Sequence, residues 1–184
     1  MPQSARFTTF YPDTLPSEAR DVYERILRDR GYIPGPYRFW LASPGFADRI
    51  EPVEDFLRHG VALEARQVEL IVLAIARHWK SQYVWSSHAP AALQAGVEAD
   101  VVEAIRTGAA VPLAREDDAL CYAFSKALLA GEGVDDTLWA KAQALLGERR
   151  INEIMGLLGL YTSVCLTMVA YRMPTKNGEP DPLP

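Results

Sequence analysis

Apolar positions are densest around residues 68–76, within the stretch LEARQVELIVLAIARHWKSQYVWSSHAPAALQAG that spans residues 63–96. Val68, Leu70, Ile71, Val72, Leu73, Ala74, Ile75 and Ala76 cover nearly the whole circumference of a helix that the pattern predicts from about Glu64 to Trp79. A helix that is apolar on every side is a buried one. One carboxylate, Glu69, stands inside this run. The pattern breaks near Lys80, and a second helix is predicted from Ser81 to Ala95, closed by Gly96 at the position after its cap. Ser81, Val84, Trp85, His88, Ala91 and Ala92 share one face of it. Pro90 cannot donate to the carbonyl of Ser86, which predicts a kink just after His88.

The flanking segments read the same way. Ala19, Val22, Tyr23, Ile26 and Leu27 recur at helical spacing behind Ser17, a good N-cap, and Gly31 ends that helix. GYIPGPYRFW is a Pro/Gly loop whose Tyr32, Tyr37, Phe39 and Trp40 read most simply as a flap packed on the core. Ser43-Pro44 starts a helix that runs through Ile50, Val53, Phe56 and Leu57 to Gly60. Further helices are predicted from Asp100 to Arg106, from Glu116 to Ala130, from Asp135 or Asp136 to near Gly147, and from about Glu148 to Arg172. No segment alternates with period two. The fold class is therefore all-α, a single domain of about seven to nine helices over residues 1–184, with the core motif at 63–108 and C-terminal helices at 116–172.

Composition narrows the function classes. The chain has 184 residues, is 49% hydrophobic and carries a net charge of −5 without a basic block. Nucleic acid is thereby disfavoured as a partner. Cys121 and Cys165 form neither a disulfide framework nor a metal knuckle, and MPQSARFTTFYPD lacks the apolar core of a signal peptide, so a cytoplasmic setting is expected. Ile154 to Tyr171 contains no charge and is long enough to span a bilayer. Gly156, Gly159, Thr162, Ser163 and Thr167 make it small and polar along one side. A core helix that also forms a subunit contact is the better reading, without a membrane partner. The closing KNGEPDPLP reads as a loose tail.

The candidate chemistry is an acid and an imidazole on adjoining apolar helices. Glu69 has a plain structural reading, an i−3 ion pair with Arg66. In an apolar site, however, a carboxylate needs a partner or takes a raised pKa. A lone histidine such as His88 is most often a core residue with one hydrogen bond. Ser81 and His88 do not make a nucleophile and its base, since seven residues along one helix is about 10 Å. His59, His78 and His88 lack a metal-ligand spacing, so no metal is expected.

These segments together resemble the carboxymuconolactone decarboxylase family, which includes the alkylhydroperoxidase D-like proteins. The resemblance rests on Ser43-Pro44 before a helix, on LEARQVELIVLAIAR, on HWKSQYVWSSHAPAALQAGV, on VVEAIRTG and on INEIMGLLGLYTSVCLTMVAY, in that order. It implies an all-helical fold, assembly of identical subunits as trimers or hexamers, and functional roles for the positions of Glu69 and His88. The chain departs from the peroxidase branch at the two redox-cysteine positions, here Ser81 and Val84. It departs from the decarboxylase branch at Val84 again, where a glutamate is common four residues before the histidine. The peroxide chemistry thus has no thiolate.

The expected function is that of a cofactor-independent enzyme performing proton transfer or decarboxylation on a small lactone or carboxylic acid. In it Glu69 and His88 are catalytic, and His88 is the acid that Glu69 orients. Arg66, Arg77 or Lys80 would hold a carboxylate. Ser81, Tyr83, Val84 and Trp85, with Trp40, would line the pocket. The other reading is a non-catalytic oligomer, a dimer, trimer or hexamer, that binds a small ligand.

Overall fold

The computed structural model describes Arg6, residues 12–176 and residues 178–184. Its helices are α1 (Ser17–Arg30), α2 (Tyr37–Trp40), α3 (Pro44–His59), α4 (Ala65–His78), α5 (Gln82–Gln94), α6 (Ala99–Thr107), α7 (Glu116–Ala130), α8 (Asp136–Leu145) and α9 (Gly147–Ala170). No strand occurs among the described residues.

Helix α4 is the axis of the bundle. Every residue from Gln67 to Ala76 is buried, and α5, α6, α7 and α9 pack around it. Its start is fixed by a reciprocal capping box. Glu64 accepts from the backbone of the first turn while its own N–H donates to Gln67 Oε1 at 3.0 Å. Its end is fixed at Lys80, which adopts φ 50°. The Ser81 N–H reaches back to the Ala76 carbonyl at 2.9 Å, and the chain turns directly into α5. This turn is the break expected near Lys80. It lays α5 alongside α4, so that residues nineteen apart in sequence, Glu69 and His88, meet side by side.

Caps and breakers behave with some differences from expectation. Gly31 and Gly108 end α1 and α6 at φ 75° and 80°, conformations that a Cβ disfavours. Pro16 rather than Ser17 holds the cap position of α1. Ser43 sits at the cap of α3 without a side-chain hydrogen bond. Asp135 caps α8 by accepting from the Leu138 N–H at 2.8 Å. α5 continues through Pro90, and α3 through Pro52. The aromatic loop after α1 packs as a flap on the core: Tyr37 and Trp40 are buried, and their rings meet edge to face at 5.2 Å. Tyr32 is the exception and is exposed.

Helix α9 is the other long core element. Ile151, Ile154, Leu157, Leu158, Val164, Cys165 and Met168 face inward. Gly156 lets it approach α3, since a Cβ there would stand 3.0 Å from Leu57 Cδ2. α9 is also the one helix among the described residues long and apolar enough to cross a membrane, but half of its most apolar window is buried inside the bundle. Met155, Leu166 and Val169 are exposed.

The C-terminal segment is docked, not loose. Arg172, at φ 54°, turns the chain off the end of α9. The Gln82 side-chain amide then grips Leu183 at both ends, donating to its carbonyl at 3.0 Å and accepting from its N–H at 2.8 Å. Arg106 donates to the Pro182 carbonyl at 3.0 Å, and Ser86 Oγ accepts from the Lys176 N–H at 3.1 Å. Leu183 and Thr175 are buried. The tail becomes a strap across α5, held by side-chain hydrogen bonds to its backbone that composition does not reveal.

Candidate active site

His88 is placed by α5 and Glu69 by α4. Glu69 Oε2 lies 2.7 Å from His88 Nδ1, and both side chains are buried. With the carboxylate ionised, Nδ1 carries the hydrogen and donates it. That leaves Nε2 as the ring nitrogen with no hydrogen bond to any described residue. His88 is wedged from the far side by Tyr161 of α9, whose ring stands perpendicular to the imidazole at 5.2 Å. The imidazole is thus fixed in tautomer by one neighbour and in orientation by two.

This histidine lines an open cleft of about 1550 Å³. The floor is α5 and α9, through Val84, Ala91, Tyr161 and Val164. One wall is α3, through Glu54 and Arg58. The loop from Tyr32 to Phe39 and the C-terminal strap from Met173 to Lys176 close the others. Tyr83 reaches over Gly35 so closely that any side chain at that position would collide with its ring and hydroxyl. Burial pushes the Tyr83 and Tyr161 hydroxyls above their ordinary pKa, so both are neutral phenols.

The cleft is cationic although the chain is net acidic. Arg38 and Lys176 are exposed at its rim, and Arg58 is half-buried within it. Glu54 is already engaged: Tyr37 Oη donates to its Oε2 at 2.6 Å, and Arg30 Nη1 stands 3.4 Å from its Oε1. Burial disfavours the charge on Arg58, but Tyr161, Glu69 and Glu54 outweigh it and raise the guanidinium's pKa.

The positions expected from sequence divide sharply. His88, Tyr83 and Val84 line the cleft, with Glu69 directly behind His88. Arg66 does not pair with Glu69. It turns the other way, to Asp118 at 2.8 Å and Glu98 at 3.1 Å, tying α4 to α7 and to the start of α6. Arg77 lies by Gly108, away from the cleft, with its Nε buried. Trp85 is buried in the core. Lys80 and Ser81 border a separate shallow pocket that Tyr83 shares, and the Ser81 hydroxyl is buried beside the Cys165 thiol without a regular hydrogen bond. Trp40 is turned to α9, donating to Thr167 Oγ1 at 3.0 Å. Arg58, absent from the sequence-based set, is the cation that joins His88.

Neither cysteine is near a redox partner. Cys121 and Cys165 are free and fully buried. Burial pushes each thiol up to about 12. The native protein is therefore expected to resist a disulfide exchange reagent, with both thiols released together on denaturation, and to leave peroxide consumption by a dithiol at background. Rapid labelling of the native protein, or peroxide turnover abolished by Cys121→Ala or Cys165→Ala, would contradict this.

Residues 44–124, which contain the Glu69–His88 pair, match the model of the Carboxymuconolactone decarboxylase family. The fold is that of the alkylhydroperoxidase AhpD core. A peroxidase-related protein of uncharacterized function from Silicibacter sp. TM1040 superimposes with a TM-score of 0.77 at 16% identity, over 98% of this chain and 97% of that one. A second uncharacterized peroxidase-related protein, from Ralstonia eutropha JMP134, gives 0.74 at 13% identity, over 94% and 93%. The debrominase Bmp8, as a cysteine-to-alanine variant in complex with 2,3,4-tribromopyrrole, gives 0.71 at 14% identity, over 97% and 96%. No curated protein is significantly similar in sequence.

Proposed function

We propose that this protein is a cofactor-independent enzyme carrying out proton transfer or decarboxylation on a small lactone or carboxylic acid, with His88 as the proton donor and Glu69 as the group that orients it. The observation that carries this reading is the 2.7 Å Glu69–His88 pair, with the imidazole lining the cleft and the carboxylate behind it. An imidazole held at Nδ1 by a carboxylate offers Nε2 for general acid and base work near neutral pH. Arg38 and Lys176 at the rim favour an acidic substrate, and the apolar floor and tyrosines favour a compact ring. The debrominase of the same fold holds a brominated pyrrole, a ligand of that size. A turnover screen against lactone acids, followed by loss of the carboxylate or of ring absorbance, tests the proposal. Activity absent across the panel, or present and undiminished in His88→Ala, would overturn it and favour a ligand-binding role.

We also infer that the chain self-associates. The uncharged outer face of α9 and the exposed Phe46, Val53 and Phe56 of the neighbouring α3 support this reading.

A further inference from the structure

The cleft contains a guanidinium that makes no direct ion pair with any described residue. Arg58 is half-buried on α3 and makes no hydrogen bond or ion pair among the described residues. The two carboxylates nearest its field are committed elsewhere, Glu54 to Tyr37 and Arg30, and Glu69 to His88. The Tyr161 ring is buried against His88 in the same cleft, and its hydroxyl makes no hydrogen bond to the described residues either. A cation and a phenol, neither hydrogen-bonded to a described residue, thus share a cleft with the free nitrogen of His88.

What such a pair would receive follows from where charge moves. When a carboxylate is lost as carbon dioxide, negative charge leaves it and gathers on the oxygen conjugated to the reacting carbon. A cation gripping the departing carboxylate stabilises the ground state and slows the step. A cation at the receiving oxygen stabilises the transition state. We infer that Arg58 and the Tyr161 hydroxyl form an oxyanion pocket that holds the enolate oxygen of the substrate. This rests on the acid–base reading of His88. The bond from carbon to the carboxylate breaks, and its electron pair moves through the adjacent bond onto the carbonyl oxygen facing Arg58. The electron pair returns as the protonated His88 passes its Nε2 hydrogen to the carbon. The carbonyl is restored, carbon dioxide leaves, and the neutral imidazole takes a proton from solvent. In this arrangement Arg58 is not a carboxylate anchor, the role expected of Arg66, Arg77 or Lys80.

The test uses 4-nitrophenol, whose phenolate mimics a delocalised oxyanion and is coloured, with benzoate as the carboxylate comparison. The full-length protein is titrated with each across pH. The wild type should bind phenolate at least about tenfold more tightly than the neutral phenol, so that the bound phenol ionises about one pH unit lower than the free one. Arg58→Gln should lose that preference while still binding neutral phenol, and Arg58→Lys should retain part of it, a check that the charge and not the fold is responsible. The proposal is overturned if Arg58→Gln binds phenolate as the wild type does, if phenolate does not bind at millimolar concentration, or if benzoate is preferred and lost with Arg58. If no lactone acid turns over but the phenolate shift appears, the acid–base reading falls and the enolate role with it, leaving Arg58 as an oxyanion-binding group only. If turnover is found and Arg58→Gln changes neither it nor phenolate binding, the pocket falls alone.

Discussion

Glu69→Gln is expected to lower turnover on a responsive substrate by about a hundredfold or more, the usual scale for losing general acid catalysis, with helical content unchanged. The amide is the same size and its carbonyl can still accept from His88 Nδ1, so the packing of α4 on α5 is kept. What disappears is the negative charge 2.7 Å from the imidazole. His88→Ala removes the donor itself and should cost at least as much. The two groups act as one unit, separated by 2.7 Å, so their effects should not add. Glu69→Gln in the His88→Ala background should make almost no further difference. Steady-state kinetics of the two single variants and the double variant check this. Fully multiplicative losses would mean that Glu69 acts on substrate independently of the histidine. Losses that track a fall in melting temperature would return both residues to a structural role.

How far the chain was legible from sequence varies with what held each element. The α4–α5 core was readable because its signals are local. A run of apolar residues on all sides specifies burial, and a buried glutamate in that run needs a partner. Helix ends at Gly31 and Gly108 were readable for the same reason, since left-handed backbone is a one-residue property. Arg58 was not. On an amphipathic helix with Asp55, His59 and Glu54 nearby, one arginine looks like a solvated charge. Its importance lies in what it lacks. Arg66 and Arg30 found carboxylates when the helices packed, whereas Arg58 did not. Which cation is left over is a property of the whole arrangement. The docking of the C-terminal strap is likewise a property of the whole arrangement. Proline-rich composition suggests disorder, but the Gln82 amide on the Leu183 backbone, Arg106 on the Pro182 carbonyl and Ser86 on the Lys176 N–H hold it in place.

Leu166→Glu combined with Val169→Glu is expected to turn an assembled protein into a monomer. The outer positions of α9 recur with alternating steps of four and three, at Met155, Gly159, Thr162, Leu166 and Val169. That is the spacing of a helix seam, and it keeps one stripe facing one way along the helix. Met155, Leu166 and Val169 are each more than 40% exposed, with no charge among them. Burying a side chain of this kind contributes roughly 1.5–3 kcal/mol, and Gly159 allows two backbones to come close. The stripe lies opposite the side of α9 that carries Tyr161 and Val164 into the cleft, so charging it leaves the floor of the site intact. Circular dichroism should therefore be unchanged while the sedimentation coefficient falls to that of a 20.4 kDa chain. Two carboxylates placed in a closed apolar seam would have no partners, and dissociation relieves them at once. A wild type that is already monomeric at low micromolar concentration, or a charged variant that still assembles, would show that this face is merely solvent-exposed.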